Sequence, residues 1–270
     1  QAEDAIRDAR SSLVGSEMCI RDRELGLDYT FVYFGITDPA AGVEAIRALG
    51  IRGMNVSMPF KTAVIPFLDS LDPAAQAIGA VNTINNSDGV LTGYNTDYVG
   101  AIKALEEQTG LAGARVALLG AGGAARAVCY GLAEKNAHVT VYNRSIEPAR
   151  LLAEEFSLDF GGSLDEFSGS WEFDILINST SIGFQAPGEC PIAQKTLETL
   201  LHRDTTVMDV VFLPPQTRLL QLAEARGCKT VQGVRMLLHQ ACGQVELYTG
   251  HRAPVGVMEE VMEKEIRNMM

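Results

Sequence analysis

Along the second half of the chain, short apolar runs alternate with longer segments in which apolar residues recur every three or four positions. The runs predict strands at Arg115–Leu119, His138–Tyr142, Ile175–Asn178 and Thr206–Val211. The periodic segments predict helices at Gly123–Lys135, Pro148–Phe156 and Thr217–Arg226. Alternation of this kind is typical of a parallel sheet covered by helices on both faces. The pattern therefore predicts an α/β domain with a doubly wound parallel sheet.

The first part of the chain has a less regular pattern. Strands are predicted at Tyr29–Ile36, Arg52–Ser57, Ala80–Asn85 and Gly89–Tyr94, and a polar Asn-Asn-Ser-Asp segment joins the last two. Helices are predicted at Pro39–Leu49, from Lys61 to about Leu68, from Asp72-Pro73 onward and at Thr96–Glu107. A long final helix, Met236–Thr249, lies beyond the last alternating unit. We expect it to pack back on the first region and to complete a second, smaller α/β domain.

The composition narrows the classes of function. The chain has 270 residues, of which 47% are apolar and 21% charged, as in ordinary globular proteins. Its formal charge is -12 and it contains no run of Lys or Arg. Phosphate groups repel an acidic surface of this kind, so nucleic acids and anionic membranes are excluded as expected partners. We expect a small-molecule substrate and a cytoplasmic protein.

The cysteines and histidines are dispersed along the chain. The five cysteines form no C-x-x-C pair, and the four histidines are equally scattered. A disulfide framework or a structural zinc site needs closer spacing. We therefore expect reduced cysteines and no metal ion. The most apolar stretch, 114–133, is interrupted by Arg115, Arg126 and several glycines, so it does not predict a membrane span.

The segment from Arg115 to Arg126 reads as a strand, a glycine-rich turn and the start of a helix. Gly120 permits the tight turn and Gly122 lets the backbone approach a pyrophosphate. Gly123 and Ala124 open the helix, where free N–H groups and the positive dipole end stabilise phosphates. The pattern predicts dinucleotide binding. A tight strand-helix turn without a ligand, or a turn of a flavin or S-adenosylmethionine protein, remains an alternative.

The end of the second strand of this domain indicates which dinucleotide is bound. An NAD site usually has Asp or Glu at this position, whereas an NADP site has Arg near the 2′-phosphate. The residues here are Asn143, Arg144 and Ser145, and no acid is present. Arg144 can pair with the phosphate while its neighbours supply hydrogen bonds, so NADP is predicted. A solvated arginine at a strand end is the alternative.

Three polar clusters lie on the predicted loops of the first region. They are Asn55–Lys61 (NVSMPFK), Gly79–Thr83 (GAVNT) and Gly93–Asp97 (GYNTD). Reduction of a ketone by hydride needs a proton donor to the developing alkoxide, and the reverse reaction needs a base. A lysine beside an aspartate suits both tasks, which makes Lys61 and Asp97 candidates. By themselves these two residues are better explained as a surface ion pair.

These clusters, in this order, resemble the successive signatures of the shikimate dehydrogenase family. The resemblance continues from about Leu25 to the C-terminus through GAGGAARA, NRS, NSTSIG at Asn178–Gly183 and GVRMLLHQ at Gly233–Gln240. It implies a Rossmann-type NADP domain and reversible reduction of 3-dehydroshikimate by NADPH, a step of aromatic amino acid biosynthesis. The implied catalytic acid/base is Lys61, with Asp97 as its partner. The resemblance also implies substrate-binding roles for Ser57, Asn82 and Gln240, and cofactor-binding roles for Gly120, Gly122, Gly123, Ala124, Asn143, Arg144, Ser145, Thr180 and Gly233.

The family pattern divides the chain into three parts. Residues 24–98 and 237–270 are expected to form the substrate-binding and catalytic domain, and residues 99–236 the NADP-binding domain. Residues 1–23 lack the family's Ser-x-Ser loop, and we interpret them as translated adapter or junction sequence joined to a truncated gene. The predicted oligomeric state is a monomer or a homodimer.

Three further departures leave alternatives open. Pro148 replaces a basic residue that the family often places near the 2′-phosphate, and Arg150 is a candidate to compensate. Phe212 and Tyr248 stand where the family usually has Tyr and frequently has Trp, respectively. They favour the shikimate dehydrogenase-like or the quinate/shikimate dehydrogenase branch of the family. A truncated NADP-binding protein with little activity is a further alternative. A folate-type dehydrogenase/cyclohydrolase is disfavoured by the motifs, and a methyltransferase by Arg144.

Overall fold

A computed structural model describes residues 26–27, 29–167, 172–184 and 186–269. The chain folds into two compact units. The first unit contains the described residues up to Thr96 together with those from Gln240 onward, and the second runs from Asp97 to His239. The segment 1–23, interpreted above as foreign to the family, lies outside the described residues.

The first unit is built around a small four-stranded sheet. Its elements before Thr96 are helices α1 (Pro39–Ala48) and α2 (Pro73–Ile78) and strands β1 (Gly53–Asn55), β2 (Ser70–Leu71), β3 (Thr83–Ser87) and β4 (Val90–Tyr94). The strand order is β1-β3-β4-β2. β3 and β4 form an antiparallel hairpin. The tight turn at Asp88-Gly89 has φ of 54° and 90°, which explains the glycine there.

Both early helices begin as the sequence predicts. The Asp38 carboxylate accepts a hydrogen bond from the Ala40 N–H at 2.9 Å, and the Asp72 carboxylate accepts one from the Ala75 N–H at 2.9 Å. Each aspartate precedes a proline at the first helical position, where the missing N–H costs nothing.

Two elements predicted in this unit are wrong. Residues 29–36 form no strand, and most of their apolar side chains, such as Val32 and Tyr33 (both 54% exposed), are exposed. β-propensity reflects packing on a sheet, and no described strand pairs with this segment. Residues 61–64 form turns, followed by a single 3₁₀ turn at Ile65–Phe67, in place of a helix. Pro66 explains this, because it has no N–H to continue a helical hydrogen-bond pattern.

The second unit is a six-stranded parallel sheet with helices. Its strands are β5 (Arg115–Leu119), β6 (His138–Tyr142), β7 (Asp159–Gly162), β8 (Ile175–Asn178), β9 (Thr206–Asp209) and β10 (Lys229–Val231). Its helices are α3 (Asp97–Glu106), α4 (Gly123–Glu134), α5 (Ile146–Phe156), α6 (Gln194–Leu200) and α7 (Arg218–Ala225). The predicted strands and helices of this region are confirmed, whereas β7, β10 and α6 were not predicted.

The strand order β10-β9-β8-β5-β6-β7 identifies a doubly wound sheet, as predicted. The chain leaves β5 in one direction to form β6 and β7, then returns to the other side of β5 to form β8. The switch point therefore lies at the carboxyl ends of β5 and β8, where open α/β sheets bind ligands. Alternate side chains of β5 pack into two hydrophobic cores, one on each face of the sheet. Val116 and Leu118 belong to one core, and Ala117 and Leu119 belong to the other.

The chain returns to the first unit through its final helices. α8 (Gly233–Thr249) belongs to the second unit up to His239 and to the first from Gln240, and α9 (Val255–Met269) follows it. The predicted return of the long helix is confirmed, whereas α9 was not predicted. No helix in the described part of the chain is long and apolar enough to cross a membrane. The described residues also contain no His, Cys, Asp and Glu cluster suited to a metal ion.

Candidate functional site

The glycine turn after β5 combines a closely packed residue with open ones. Gly120 has φ of +109°, and its N–H donates to the Tyr142 carbonyl at 2.7 Å. A Cβ atom on Gly120 would lie 2.7 Å from Ser179 Oγ, so no side chain fits there. By contrast, a Cβ atom on Gly122 or Gly123 would have no neighbour within 4 Å. The turn thus leaves free space beside the first N–H groups of α4, where a phosphate can bind.

The end of β6 presents the residues predicted to select the dinucleotide. The Asn143 amide donates to the Ser145 carbonyl at 2.9 Å, which closes the turn around Arg144. Arg144 is exposed and forms no hydrogen bond or ion pair with any described residue.

Two other arginines of this region, Arg126 and Arg150, are already bound by glutamates. Arg126 forms two 2.6 Å hydrogen bonds with Glu155. Arg150 binds Glu147 at 2.7 Å and Glu154 at 2.6 Å, all within α5. Arg150 is therefore engaged on its own helix, and Arg144 is the arginine of this group that is available to an anion.

The carboxyl ends of β8 and β9 are joined by buried polar side chains. Asn178 and Asp209 are adjacent in register and both are fully buried. Asn178 donates to Asp209 Oδ1 at 2.9 Å, and the Thr217 hydroxyl donates to Asp209 Oδ2 at 2.7 Å. Burial raises the pKa of Asp209 to about 6.

Asn178 also shapes the loop that follows β8. Its Oδ1 accepts hydrogen bonds from the Thr180 N–H at 3.1 Å and from the Thr180 hydroxyl at 2.7 Å. Thr180, predicted to bind the cofactor, is thus placed through Asn178 and Asp209. Asp209 was not predicted from the sequence. An acid within the mostly apolar run Thr206–Val211, toward the ligand-binding edge of a parallel sheet, is the signal that could have found it.

Gly233, also predicted to bind the cofactor, lies at the start of α8 in the same unit. A Cβ atom there would be 2.5 Å from the Val211 carbonyl oxygen. The glycine therefore allows the helix start to approach the loop after β9. Phe212, in that loop, packs against Phe184, with ring centroids 6.0 Å apart.

In the first unit, a buried amide cluster contains two of the predicted substrate-binding residues. Asn82 is 2% exposed and Gln240 is 8% exposed. Asn82 Nδ2 donates to Gln240 Oε1 at 3.1 Å and to Thr96 Oγ1 at 2.9 Å. The Thr96 N–H and the Thr83 hydroxyl both donate to Asn82 Oδ1 at 2.8 Å. The tertiary fold therefore joins residues far apart in sequence. Thr83 and Thr96, which lie in the predicted polar clusters but had no role assigned from the sequence, are also members of this amide cluster.

The remaining predicted residues lie on the connecting segments. Ser57 is exposed and directly precedes the cis Met58-Pro59 bond. Lys61 is half-buried, and its carbonyl accepts a hydrogen bond from the Val81 N–H at 2.8 Å, beside Asn82. Asp97 is buried at the first turn of α3 and belongs to the second unit. The pairing of Lys61 with Asp97 stays a prediction.

Three family models match the chain. "Shikimate dehydrogenase substrate binding domain" matches residues 5–84, "Shikimate / quinate 5-dehydrogenase" residues 103–210, and "Shikimate 5'-dehydrogenase C-terminal domain" residues 233–263. The first match begins within the segment 1–23, which was interpreted above as foreign to the family.

Several curated proteins are similar over most of the chain. A shikimate dehydrogenase (NADP(+)) of Pyrococcus abyssi is 43% identical over 241 residues, which is 88% of each chain. A shikimate dehydrogenase (NADP(+)) of Haloarcula marismortui is 44% identical and covers 87% of each chain.

Solved structures show the same fold. A shikimate dehydrogenase in complex with NADP+ has a TM-score of 0.88 at 34% identity, covering 94% of this chain and 91% of that one. The Thermus thermophilus enzyme, solved with NADP(H) and shikimate, has a TM-score of 0.86 at 32% identity and covers 95% of both chains. A protein named for a different substrate has a similar structure. This quinate dehydrogenase of Corynebacterium glutamicum, solved in complex with NAD, has a TM-score of 0.85 at 29% identity and covers 94% of both chains.

Proposed function

This chain belongs to the shikimate dehydrogenase family, and we propose that it interconverts shikimate and 3-dehydroshikimate with NADP+ and NADPH. The family predicted from the motifs is thereby confirmed. The observation that carries the proposal is that each unit contains one of the two predicted binding features: an open glycine turn at a sheet switch point in the second unit, and a buried Asn82–Gln240 amide pair in the first.

We assign cofactor binding to the second unit. Gly122, Gly123 and Ala124 would hold the pyrophosphate through backbone N–H groups at the start of α4, where the space beside both glycines is open. Thr180 and Gly233 would line the same edge of the sheet. When bound there, NADP+ would supply a hydride acceptor for carbon 3 of shikimate, and NADPH would supply the hydride of the reverse reaction.

The preference for NADP is assigned to the turn after β6. Arg144 is the exposed arginine of this region without a described partner, so its guanidinium is available to the 2′-phosphate. Asn143 and Ser145 hold the turn around it. No acid is present at this strand end to bind a ribose 2′-hydroxyl, and the relatives named NADP(+)-dependent support the same choice.

We assign substrate binding and proton transfer to Ser57, Asn82, Gln240, Lys61 and Asp97. In the oxidation of shikimate, the Lys61 amine would take the proton of the 3-hydroxyl while the hydride leaves carbon 3, and in the reduction its ammonium would return the proton. The Asp97 carboxylate would orient the amine and stabilise its charged form. Ser57, Asn82 and Gln240 would bind the ring hydroxyls and the carboxylate.

The cellular setting is also a proposal. The described cysteines, Cys129, Cys190, Cys228 and Cys242, are free thiols, which is usual in a reducing compartment. We therefore place the protein in the cytoplasm, acting on a small molecule as a monomer or homodimer.

The test replaces the proposed acid/base. Purified protein should reduce NADP+ with shikimate, and Lys61→Ala should lower turnover by at least about a thousandfold, in the upper range for loss of a general acid/base group. Calorimetry should show unchanged NADP+ binding. Lys103→Ala, which removes an exposed lysine of α3, serves as the matched control and should leave turnover unchanged.

Each contrary outcome has a separate meaning. Turnover retained in Lys61→Ala would show that the acid/base assignment is wrong. Turnover of quinate at a higher kcat/KM than shikimate would identify the paralogue. NADP+ binding without turnover of either acid would identify a non-catalytic NADP-binding protein.

A further inference from the structure

One face of α8 carries a row of polar side chains that contact the small sheet. Gln240, Gln244 and Tyr248 are spaced four residues apart and are therefore stacked on the same side of the helix. They are 8%, 2% and 6% exposed. Polar side chains this deeply buried must find hydrogen-bond partners, and these find them on β1, β3 and the residue before β3.

The hydrogen bonds of this row form a continuous chain. The Tyr248 hydroxyl donates to Asn55 Oδ1 at 2.6 Å, and Asn55 Nδ2 donates to Gln244 Oε1 at 2.9 Å. Gln244 Nε2 donates to Thr83 Oγ1 at 3.2 Å, and Thr83 Oγ1 donates to Asn82 Oδ1 at 2.8 Å. We call these linked side chains, together with Gln240, the amide relay.

A single backbone group determines the direction of every link. The Thr96 N–H can only donate, and it lies 2.8 Å from Asn82 Oδ1, so this atom must be the oxygen of the Asn82 amide. The Asn82 oxygen can only accept, so the Thr83 hydroxyl must donate to it and can only accept from Gln244. The same reasoning orients the Gln244 and Asn55 amides and requires Tyr248 to donate.

The relay also determines what Gln240 offers to a ligand. Asn82 Nδ2 faces Gln240 Oε1, so the Gln240 oxygen is used inside the protein. Gln240 Nε2 donates to no described residue, although the side chain is more than nine-tenths buried. Its N–H groups therefore have no partner among the described residues, and they suit an oxygen acceptor on the ligand.

We propose that Asn55, Gln244 and Tyr248 are positioning residues that hold Gln240 with its N–H groups directed at an oxygen of the substrate. This inference rests on the proposed function, because it takes Gln240 to bind shikimate. The chain of aligned hydrogen bonds makes the arrangement cooperative, so loss of one member weakens the next.

The test is a double-mutant cycle on substrate KM. Gln244→Leu removes the centre of the relay at similar volume and should raise KM for shikimate about tenfold, roughly 1.4 kcal/mol, with KM for NADP+ unchanged. In a Gln240→Ala background, Gln244→Leu should have no further effect on KM for shikimate. Fully additive effects in the double variant would overturn the proposal, because they would mean that Gln244 does not act through Gln240.

Two further variants guard against misfolding and general destabilisation. Tyr248→Phe removes the terminal donor but keeps the ring, which can pack against β1 because Gly53 has no side chain. This variant should raise the KM for shikimate about threefold. Ser70→Ala removes an exposed 2.9 Å hydrogen bond to Thr92 in the same sheet. This control should change neither KM.

A readout without turnover separates this proposal from the proposed function. In ligand-free protein, the side-chain ¹⁵N–¹H₂ signals of Gln240, assigned by their loss in Gln240→Ala, should shift in Gln244→Leu and stay in place in Ser70→Ala. Shifted signals in a protein that does not oxidise shikimate would leave the relay standing and reject the function. Unshifted signals would reject the relay whatever the activity.

Discussion

Asn178 and Asp209 end two adjacent parallel strands, and the Asn178 amide donates to the Asp209 carboxylate at 2.9 Å with both side chains fully buried. The same asparagine accepts two hydrogen bonds from Thr180, so the buried acid orients a loop at the ligand-binding edge of the sheet. A buried carboxylate is costly even when it accepts hydrogen bonds.

This acid should make the folded protein lose stability as the pH rises. Burial raises the pKa of Asp209 to about 6, above the ordinary value of an unfolded aspartate. The folded state therefore holds the proton more tightly, and the resulting stability is fully present below pH about 4 and lost as the pH rises to about 6. The loss should reach at most about 3 kcal/mol.

Asp209→Asn should remove this pH dependence. Its amide can still accept from Asn178 and the Val211 N–H, and can donate to the Thr217 hydroxyl oxygen. Denaturant unfolding of both proteins between pH 4 and pH 7 measures the effect: the stability of the wild type relative to the variant should fall across this range. Parallel curves would contradict a raised pKa at Asp209.

Arg144 should determine the choice of cofactor. Arg144→Gln should raise KM for NADP+ about tenfold or more and leave KM for NAD+ within about twofold, because only NADP+ has the 2′-phosphate. Steady-state kinetics with both cofactors measure the ratio. Arg150→Gln is the matched control, since Glu147 and Glu154 already bind that guanidinium. An equal effect of the two variants would reject the assignment to Arg144.

Gly120 and Gly122 should respond differently to alanine. Gly120→Ala places a Cβ 2.7 Å from Ser179 Oγ at φ of +109°, so we expect a loss of about 2–4 kcal/mol in stability. Gly122→Ala has φ of −89° and open space, so the melting temperature should stay near that of the wild type. The added methyl group should nevertheless weaken NADP+ binding, because it occupies the space where the backbone approaches the pyrophosphate.

Thermal unfolding and NADP+ calorimetry on both variants separate these effects. A Gly122→Ala protein with full NADP+ affinity would place the pyrophosphate elsewhere.

Much of the second unit could be predicted because its signals are local. The strand, turn and helix around Gly120 follow from an apolar run, a glycine that can adopt positive φ and a helix start, all within a dozen residues. The same holds for Asp38 and Asp72, which cap the helices that follow them. Each of these features depends on neighbours in sequence.

Other features depend on contacts between segments that are far apart in sequence, and the sequence alone did not predict them. The apolar run at 29–36 has the composition of a strand but forms none, because a strand needs a neighbour with which to pair. The pKa of Asp209 is raised only because the fold buries its carboxylate, next to Asn178 on another strand.

The sequence by itself determined the family motifs, the order of the elements and the residue types of the site. The tertiary structure decided the environment and orientation of those residues. Gln240 was identified from a motif, but its Oε1 is used by Asn82 and its N–H groups stay available only because α8 lies against β1 and β3. Hydrogen-bond direction depends on which atoms face each other across the fold, and sequence order alone does not specify that.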